Sequence, residues 1–563
     1  MDERKIKYQN IFNLYRTNDL ESAKEKGLVF LKEYPQDFQI LNLLGAISVR
    51  TENLDDAVNF FKKALEIDNT YTKAYNNLGL VYRSLNNFKD AQICFEKCIF
   101  LKKDYKEAYN NLGITQKDLG LQKDAMVSLN KSLEIDNTYD QALYNIGNIY
   151  SEEENLKEAL VYYKRCLDSN PNHYDCLINI ANTLTKLNKI DESIQYLEKA
   201  ISINPSNYAA FFNIANTYYS RGNLKIASSK YEEALKRNPN HQETYIRLGI
   251  IEKEFGNRKK AKDYFKQSYL INDNHPQSNY QLGMLYHEDQ IDSEAVKYFD
   301  KCTEYDAQER ALVSHYRLQN YDIIKNAISN SSNIKRDSRI IASVANHFSY
   351  NFDQVNEYTF CPDPLKFIYQ KKISELIDGS KLKNNLISLI NKVDVDNRLS
   401  GVVKGGVQST GNLLRRKENE FIALADLVQN EIKKFLKSFT NCNDLFIQNF
   451  PKDPVIQNSW FIKLQKGGHL TPHIHHLGWM SGAVYLKIPK QINNPHEGSF
   501  IAGINGDNYP KNKDKYPEKI IDVEEGDIVL FPSCLFHRTV PFNSEEERIC
   551  IAFDVGIKDK IFF

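Results

Sequence analysis

The sequence predicts a two-part chain, an all-α solenoid followed by an antiparallel β sandwich or jelly-roll barrel with supporting helices. Three observations carry this. A 34-residue period runs through the first 300 or so residues, and beyond about residue 355 short β-branched and aromatic runs alternate with Gly, Asn and Pro turns. Six of the twelve histidines fall in the last hundred residues. The 563 residues are 42% hydrophobic and 26% charged, an ordinary foldable mixture with room for several domains. With 73 Lys+Arg against 73 Asp+Glu, zero net charge argues against a globally basic nucleic-acid binder. No run approaches the ~18 apolar residues a membrane helix needs. MDERKIKYQN carries both signs of charge and no apolar core, so no secretory leader is expected. Nine scattered cysteines, an odd number, are not a disulfide framework, and Cys94 and Cys98 lack a second pair to complete a zinc set. Buried free thiols in a cytoplasmic protein are expected.

The period is explicit. AYNNLG (74–79) returns at 108–113, then as ALYNIG, CLINIA, AFFNIA, TYIRLG and SNYQLG, each 34 residues on. A small residue at 79, 113, 147, 181, 215, 249 and 283 lets the first helix of a unit approach its partner closely. A second small ladder, Ala57, Ala91, Ala125, Ala159, Ser193, Ala227, Ala261 and Ala295, does the same from the second helix. Pro35, Pro171, Pro205 and Pro239 end the second helices, because proline lacks the N–H the helix would need. These three ladders resemble the tetratricopeptide repeat, over residues 5–306 in about nine units, the first (5–38) degenerate as a capping unit tends to be.

Such arrays bind partners. Asn77, Asn111, Asn145, Asn179 and Asn213 occupy one register in five consecutive units. A primary amide has two donors and an acceptor, the complement of a peptide backbone. The row resembles the asparagine ladder in the superhelix of O-GlcNAc transferase and implies a protein or peptide in the repeat groove; an abundant, tolerated surface Asn is the alternative.

From 307 to 354 the period fails. ALVSHYRLQNYDIIKNAIS and SRIIASVANHFSY read as amphipathic helices capping the solenoid, with a turn at NSSN (330–333). The last domain, 355–563, opens with a short strand in EYTFCPDPL and helical stretches at about 364–392 and 417–439. Phe421, Leu424, Leu427, Val428, Phe435 and Phe439 form a stripe suited to backing a sheet. SWFIKLQ, MSGAVYLKIP, GSFIAGI, KIIDV, GDIVLFP and RICIAFDV follow as strands.

On a strand, His473 and His475 share a face, because side chains alternate. An HxH pair aimed into a barrel is half a metal site, and His537, after the turn at Pro532, supplies a third ligand. Arg548, opening RICIAFDV, would be an uncompensated interior charge unless it meets an anion, and its planar fork suits a carboxylate. His476 as ligand in place of His475 requires a bulge. His469 and His496 read as ordinary hydrogen-bonded residues, and Cys534 and Cys550 as small buried ones.

WFIKLQKGGHLTPHIHHLGWMSGAVYLKIP and GDIVLFPSCLFHRTVPFNSEEERICIAF resemble the 2-oxoglutarate/Fe(II) oxygenase family often attached to tetratricopeptide repeats, and GGVQSTGNLL (405–414) resembles the start of that domain. The resemblance implies a double-stranded β-helix that binds Fe(II) through His473, His475 and His537. It further implies that Arg548 grips 2-oxoglutarate and that O2 is used to oxidise a C–H bond. Tyr485 and Ser481 lie on the next strand within reach of a ligand, and a packed β-strand explains them equally well. The usual triad of this chemistry is two histidines and a carboxylate, whereas the second position here is His475. Three histidines also suit zinc hydration chemistry or a cupin-type dioxygenase. Two further functions stay open: an interaction scaffold with a non-catalytic metal-binding barrel, and an oxygenase acting on a small molecule or glycan.

Overall fold

The computed structural model describes residues 3–329, 337–377, 380–393, 402–409 and 412–557. The turn expected at NSSN, and residues 410 and 411 of GGVQSTGNLL, lie outside the described residues. The chain divides into two compact units, 1–244 and 245–563.

Paired antiparallel helices fill the first unit, from Glu3–Arg16 with Leu20–Glu33 to Tyr208–Ser220 with Leu224–Arg237. Their packing explains both small ladders. A Cβ on Gly79 would lie 2.7 Å from Phe95, and one on Gly147 would lie 2.5 Å from Tyr163. Each glycine is therefore the socket for a large residue sixteen positions on. The second ladder, Ala57, Ala91, Ala125, Ala159 and Ser193 through Ala227, is fully buried.

A further ladder of the same period sits in the backbone. Each turn between paired helices passes through a residue of positive φ: Asn18, Glu52, Asn86, Gly120, Glu154, Asn188, Gly222, Gly256 and Gln290. The following N–H reaches back five residues, as from Asn87 to the Tyr82 carbonyl and from Leu121 to Gln116, both at 2.8 Å. This left-handed cap satisfies carbonyls that the end of a helix leaves unpaired.

The second unit opens within the helix Gln242–Glu254, followed by Arg258–Ile271, and continues with the pair Pro276–Glu288 and Asp292–Phe299. The cap follows as helices Ala307–Arg317, Tyr321–Ser329 and Arg339–Asn351, and Ala307 and Ala311 join the apolar cluster of the last repeats. EYTFCPDPL forms no strand, and 364–392 is not one helical stretch. A 3-10 turn, Pro364–Phe367, leads into β1 (Tyr369–Lys372), a second, Ser374–Leu376, follows it, and the α-helix is confined to Lys381–Ile390. Pairing with a neighbouring strand overrides the helical pattern of YQKK.

The remaining strands are β2 (Val403–Gln408), β3 (Val455–Leu470), β4 (Met480–Lys487), β5 (Phe500–Gly503), β6 (Glu518–Ile521), β7 (Asp527–Pro532), β8 (Phe536–Thr539) and β9 (Arg548–Gly556). They form two antiparallel sheets, of order β1-β7-β4-β9-β3-β2 and β6-β5-β8. Two-residue alternation sorts the large sheet's faces. Ile528, Leu530, Ile549, Ile551, Phe553 and Val555 pack in one core with Phe421, Leu424, Val428 and Phe435 of the helix Asn419–Ser438. Val529, Phe531, Cys550 and Ala552 face the other way, onto Phe500 and Ala502 of the small sheet.

Two measurements test this packing. Gly147→Val should remove ~1–3 kcal/mol through overpacking against Tyr163, read as a lowered Tm. Two buried imidazoles of the second unit stay neutral: burial lowers His287 to about 3 and His347 to about 4. Because the unfolded chain takes up these protons below about 6.5 and the native chain does not, stability should be full above that pH and fall steadily as pH drops toward 4. Tm against pH checks this, and His347→Gln should flatten the slope.

Candidate metal centre

His473, His475 and His537 converge. One ring nitrogen of each lies within 4.8 Å of the others, and ring centroids are 4.2 to 5.2 Å apart. The route differs from the expected strand alternation. His473 and His475 sit on the irregular connection between β3 and β4, and an isolated antiparallel bridge joins His473 to His537 on β8. The His473 N–H donates to the His537 carbonyl (3.3 Å), the His537 N–H donates back (3.0 Å), and the His475 N–H donates to Ser533 (3.2 Å).

The Nδ1 of each ring has its own acceptor. His473 Nδ1 bonds the Thr471 carbonyl at 2.8 Å, His537 Nδ1 the Leu535 carbonyl at 3.3 Å, and His475 Nδ1 the Asp554 carboxylate at 2.6 Å. A carbonyl oxygen only accepts, so the His473 and His537 protons sit on Nδ1 and their Nε2 lone pairs are left for an ion. Metal-binding histidines are characteristically oriented in this way. Burial lowers His473 to about 3 and puts His537 well below the usual imidazole range, with the neighbouring rings adding to the effect. Both are thus neutral near pH 7, the form that ligates.

The rings open into a largely apolar cavity of 330 Å³ between the sheets. Arg548, Tyr485, Thr539 and Cys550 line it too. Arg548 is 1% exposed; its Nε donates to the Gly498 carbonyl at 2.9 Å, and its guanidinium lies 5.0 Å from the Tyr485 ring centre. Among the described residues no carboxylate pairs with it. Burial pushes the Tyr485 hydroxyl well above its ordinary pKa.

Ser481, expected beside a cosubstrate, does not line this cavity. Its hydroxyl donates to Asp554 at 2.8 Å and lies 2.7 Å from Ser533 Oγ, so it braces the carboxylate behind His475. His476 stays out of the cluster, with its Nε2 3.0 Å from Arg310 Nη2. His469 and His496 bond the Gly467 carbonyl and Asp522. Sequence reasoning missed two residues. Asp554 shares a face of β9 with Arg548, Cys550 and Ala552, and Thr539 shares a face of β8 with His537, so counting by twos would have found both. The Thr539 hydroxyl is buried in the cavity wall without a hydrogen-bond partner among the described residues.

In the first unit the asparagine row is internally bonded. Asn77 Nδ2 donates to Asn42 (3.1 Å), Asn111 to Asn76 (3.0 Å), Asn145 to Asn110 (2.9 Å) and Asn179 to Asn148 (2.8 Å). These four amides stitch consecutive repeats, and Asn179 also reaches the Tyr144 hydroxyl at 3.2 Å.

Tetratricopeptide-repeat family models match residues 36–104, 106–139, 141–173, 174–207, 208–241, 242–275 and 276–309, and the model described as "Putative 2OG-Fe(II) oxygenase" matches 458–554. The chain is a tetratricopeptide repeat protein carrying a domain of that oxygenase family. Among solved structures it is similar to YrrB, titled a TPR protein with an unusual peptide-binding site, at 24% identity over 33% of this chain and 95% of that one, TM-score 0.28. It is also similar to PilF of Pseudomonas aeruginosa, at 19% identity over 40% and 98%, TM-score 0.34. A repeat protein of Parabacteroides merdae matches at 19% identity over 44% and 98%, TM-score 0.37. No curated protein sequence matches.

The carboxylate behind His475 is testable. Asp554→Asn keeps the shape but removes the anion, and should weaken metal affinity ~10–100-fold, read by competition with a chelating dye, with the fold unchanged by circular dichroism.

Proposed function

We propose that the protein is a 2-oxoglutarate- and Fe(II)-dependent hydroxylase whose repeats bind a protein or peptide partner. The observation that carries the reading is Arg548, a buried guanidinium without an acidic partner, lining the same small cavity as three convergent imidazoles. An uncompensated buried charge is costly, and a dicarboxylate that also reaches a metal would relieve it. The unbonded Thr539 hydroxyl in the same wall supplies a further donor.

The residues fit such a group. His473, His475 and His537 would hold the ion through Nε2, and Arg548 and Thr539 would hold the far carboxylate, with the Tyr485 ring against the guanidinium. Asp554, through His475, places an anion one residue behind the ion, where the usual triad has one on it. When bound, Fe(II) and 2-oxoglutarate supply the oxidation: one oxygen atom of O2 enters a substrate C–H bond and the other enters succinate as CO2 leaves. Phe500, Phe531, Ile462 and Leu470 line the cavity and keep water from the reacting centre.

Protein purified without oxygen, then given Fe(II) and 2-oxoglutarate, should develop a visible absorption band and release succinate on exposure to O2. His537→Ala should abolish both. Arg548→Ala should retain metal yet bind 2-oxoglutarate at least tenfold more weakly. A zinc-loaded protein indifferent to 2-oxoglutarate would overturn the reading.

A further inference from the structure

The imidazole cavity has a larger neighbour within the second compact unit. A cavity of 850 Å³ shares Val402 and His473 with it, and shares Gln290, Pro472 and Asp507 with a third of 590 Å³. The three therefore adjoin one another, the first two meeting at His473. The first is small, apolar and supplied with Arg548, while the other two form an open cleft. Its walls come from both halves of the unit: the repeat helices Arg258–Ile271 and Pro276–Glu288, the cap helix Ala307–Arg317, and the segments at 472–476 and 505–511.

The chemistry of those walls narrows the occupant. Each arginine in them is already paired within the protein: Arg258 with Glu288 and Asp289 (2.7 Å each), Arg310 with Asp306 (2.9 Å), Arg317 with Asp292 (3.3 Å) and Asp507, and Arg538 with Glu518 (2.9 Å). These pairs leave Lys511, in the lining of the third cavity, as the cation without an ion pair among the described residues, which is little attraction for a polyanion. Between them lie Met284, Val313, Ile340, Ile474 and Phe536, an apolar strip beside the wall of His473. The 850 Å³ part alone is near the upper end of small-molecule sites, and its continuation suits a ligand with length.

We propose that this cleft receives the substrate, and that the substrate is an extended, uncharged stretch of polypeptide. It would lie across Gln290, Pro472 and Asp507 and present an aliphatic side chain past Val402 toward the imidazoles. The assignment rests on the hydroxylase reading for what is done to that side chain, but not for what binds. The last two repeats and the cap then act as a wall of the substrate site as well as a scaffold.

The test uses the full chain and a library of unstructured dodecapeptides with uncharged flanks and a central Leu, Val or Ile. A benzophenone amino acid placed at exposed Lys511 should crosslink these peptides without any turnover. Met284→Arg, and separately Gln290→Trp at an exposed position, should weaken peptide binding by fluorescence anisotropy at least tenfold, while the Kd of 2-oxoglutarate moves less than twofold. In the loaded enzyme the central residue should gain 16 mass units. Peptide binding indifferent to both substitutions would overturn the assignment, as would crosslinks formed only with an oligosaccharide or an oligonucleotide. Crosslinking that survives without any 2-oxoglutarate binding would leave the cleft assigned and remove the hydroxylase reading instead.

Discussion

Two backbone hydrogen bonds between His473 and His537 set the geometry on which the whole second unit turns. They fasten an irregular segment leaving the large sheet to a strand of the small one, at the point where both carry imidazoles. Orientation then follows from what each Nδ1 can reach: two carbonyls two residues back in the chain and one buried carboxylate. A site assembled this way needs little from flexible side chains, because its directions are written in the main chain. The apolar faces of β4, β7 and β9 hold that frame between a long helix and the small sheet.

Much of this was readable from the sequence where a period was at work. The 34-residue ladders located the helix pairs and their close approach, whereas the large residue sixteen positions on that fills each glycine's place emerged only in the fold. The left-handed turn ladder was equally periodic but hidden, since Asn, Glu, Gly and Gln all occupy it and only conformation unites them. Beyond residue 355 the strands of the large core were visible as apolar runs. YQKK was not, because its pairing partner Asp527–Leu530 is about 160 residues away and its own composition favours a helix. The three histidines meet by another route than the strand alternation the sequence suggested, through a bridge outside regular strand geometry.

Sequence also listed polar groups without saying who uses them. The asparagine amides bond the adjacent repeat, and Ser481 turns away from the cavity to hold Asp554. Such choices depend on neighbours that only folding brings within 3 Å. Strand parity, by contrast, was available: residues 548, 550, 552 and 554 share a face, and so do 537 and 539.

The division of the chain at 244/245 does not coincide with the end of the repeats, and three arginines show what ties the helices after the repeats to the β-sheet region within the second unit. Arg310 reaches His476 Nε2, Arg339 donates to the His476 and Leu477 carbonyls, and Arg317 grips Asp507. All three belong to cap helices yet brace the loops around the imidazoles. A fragment trimmed at 355 to isolate the β-sheets would shed these braces and the cleft wall together, leaving its ligand loop untethered. The compact body that holds the imidazoles therefore begins inside the repeat array, with two borrowed repeats serving as part of the sheets' own foundation.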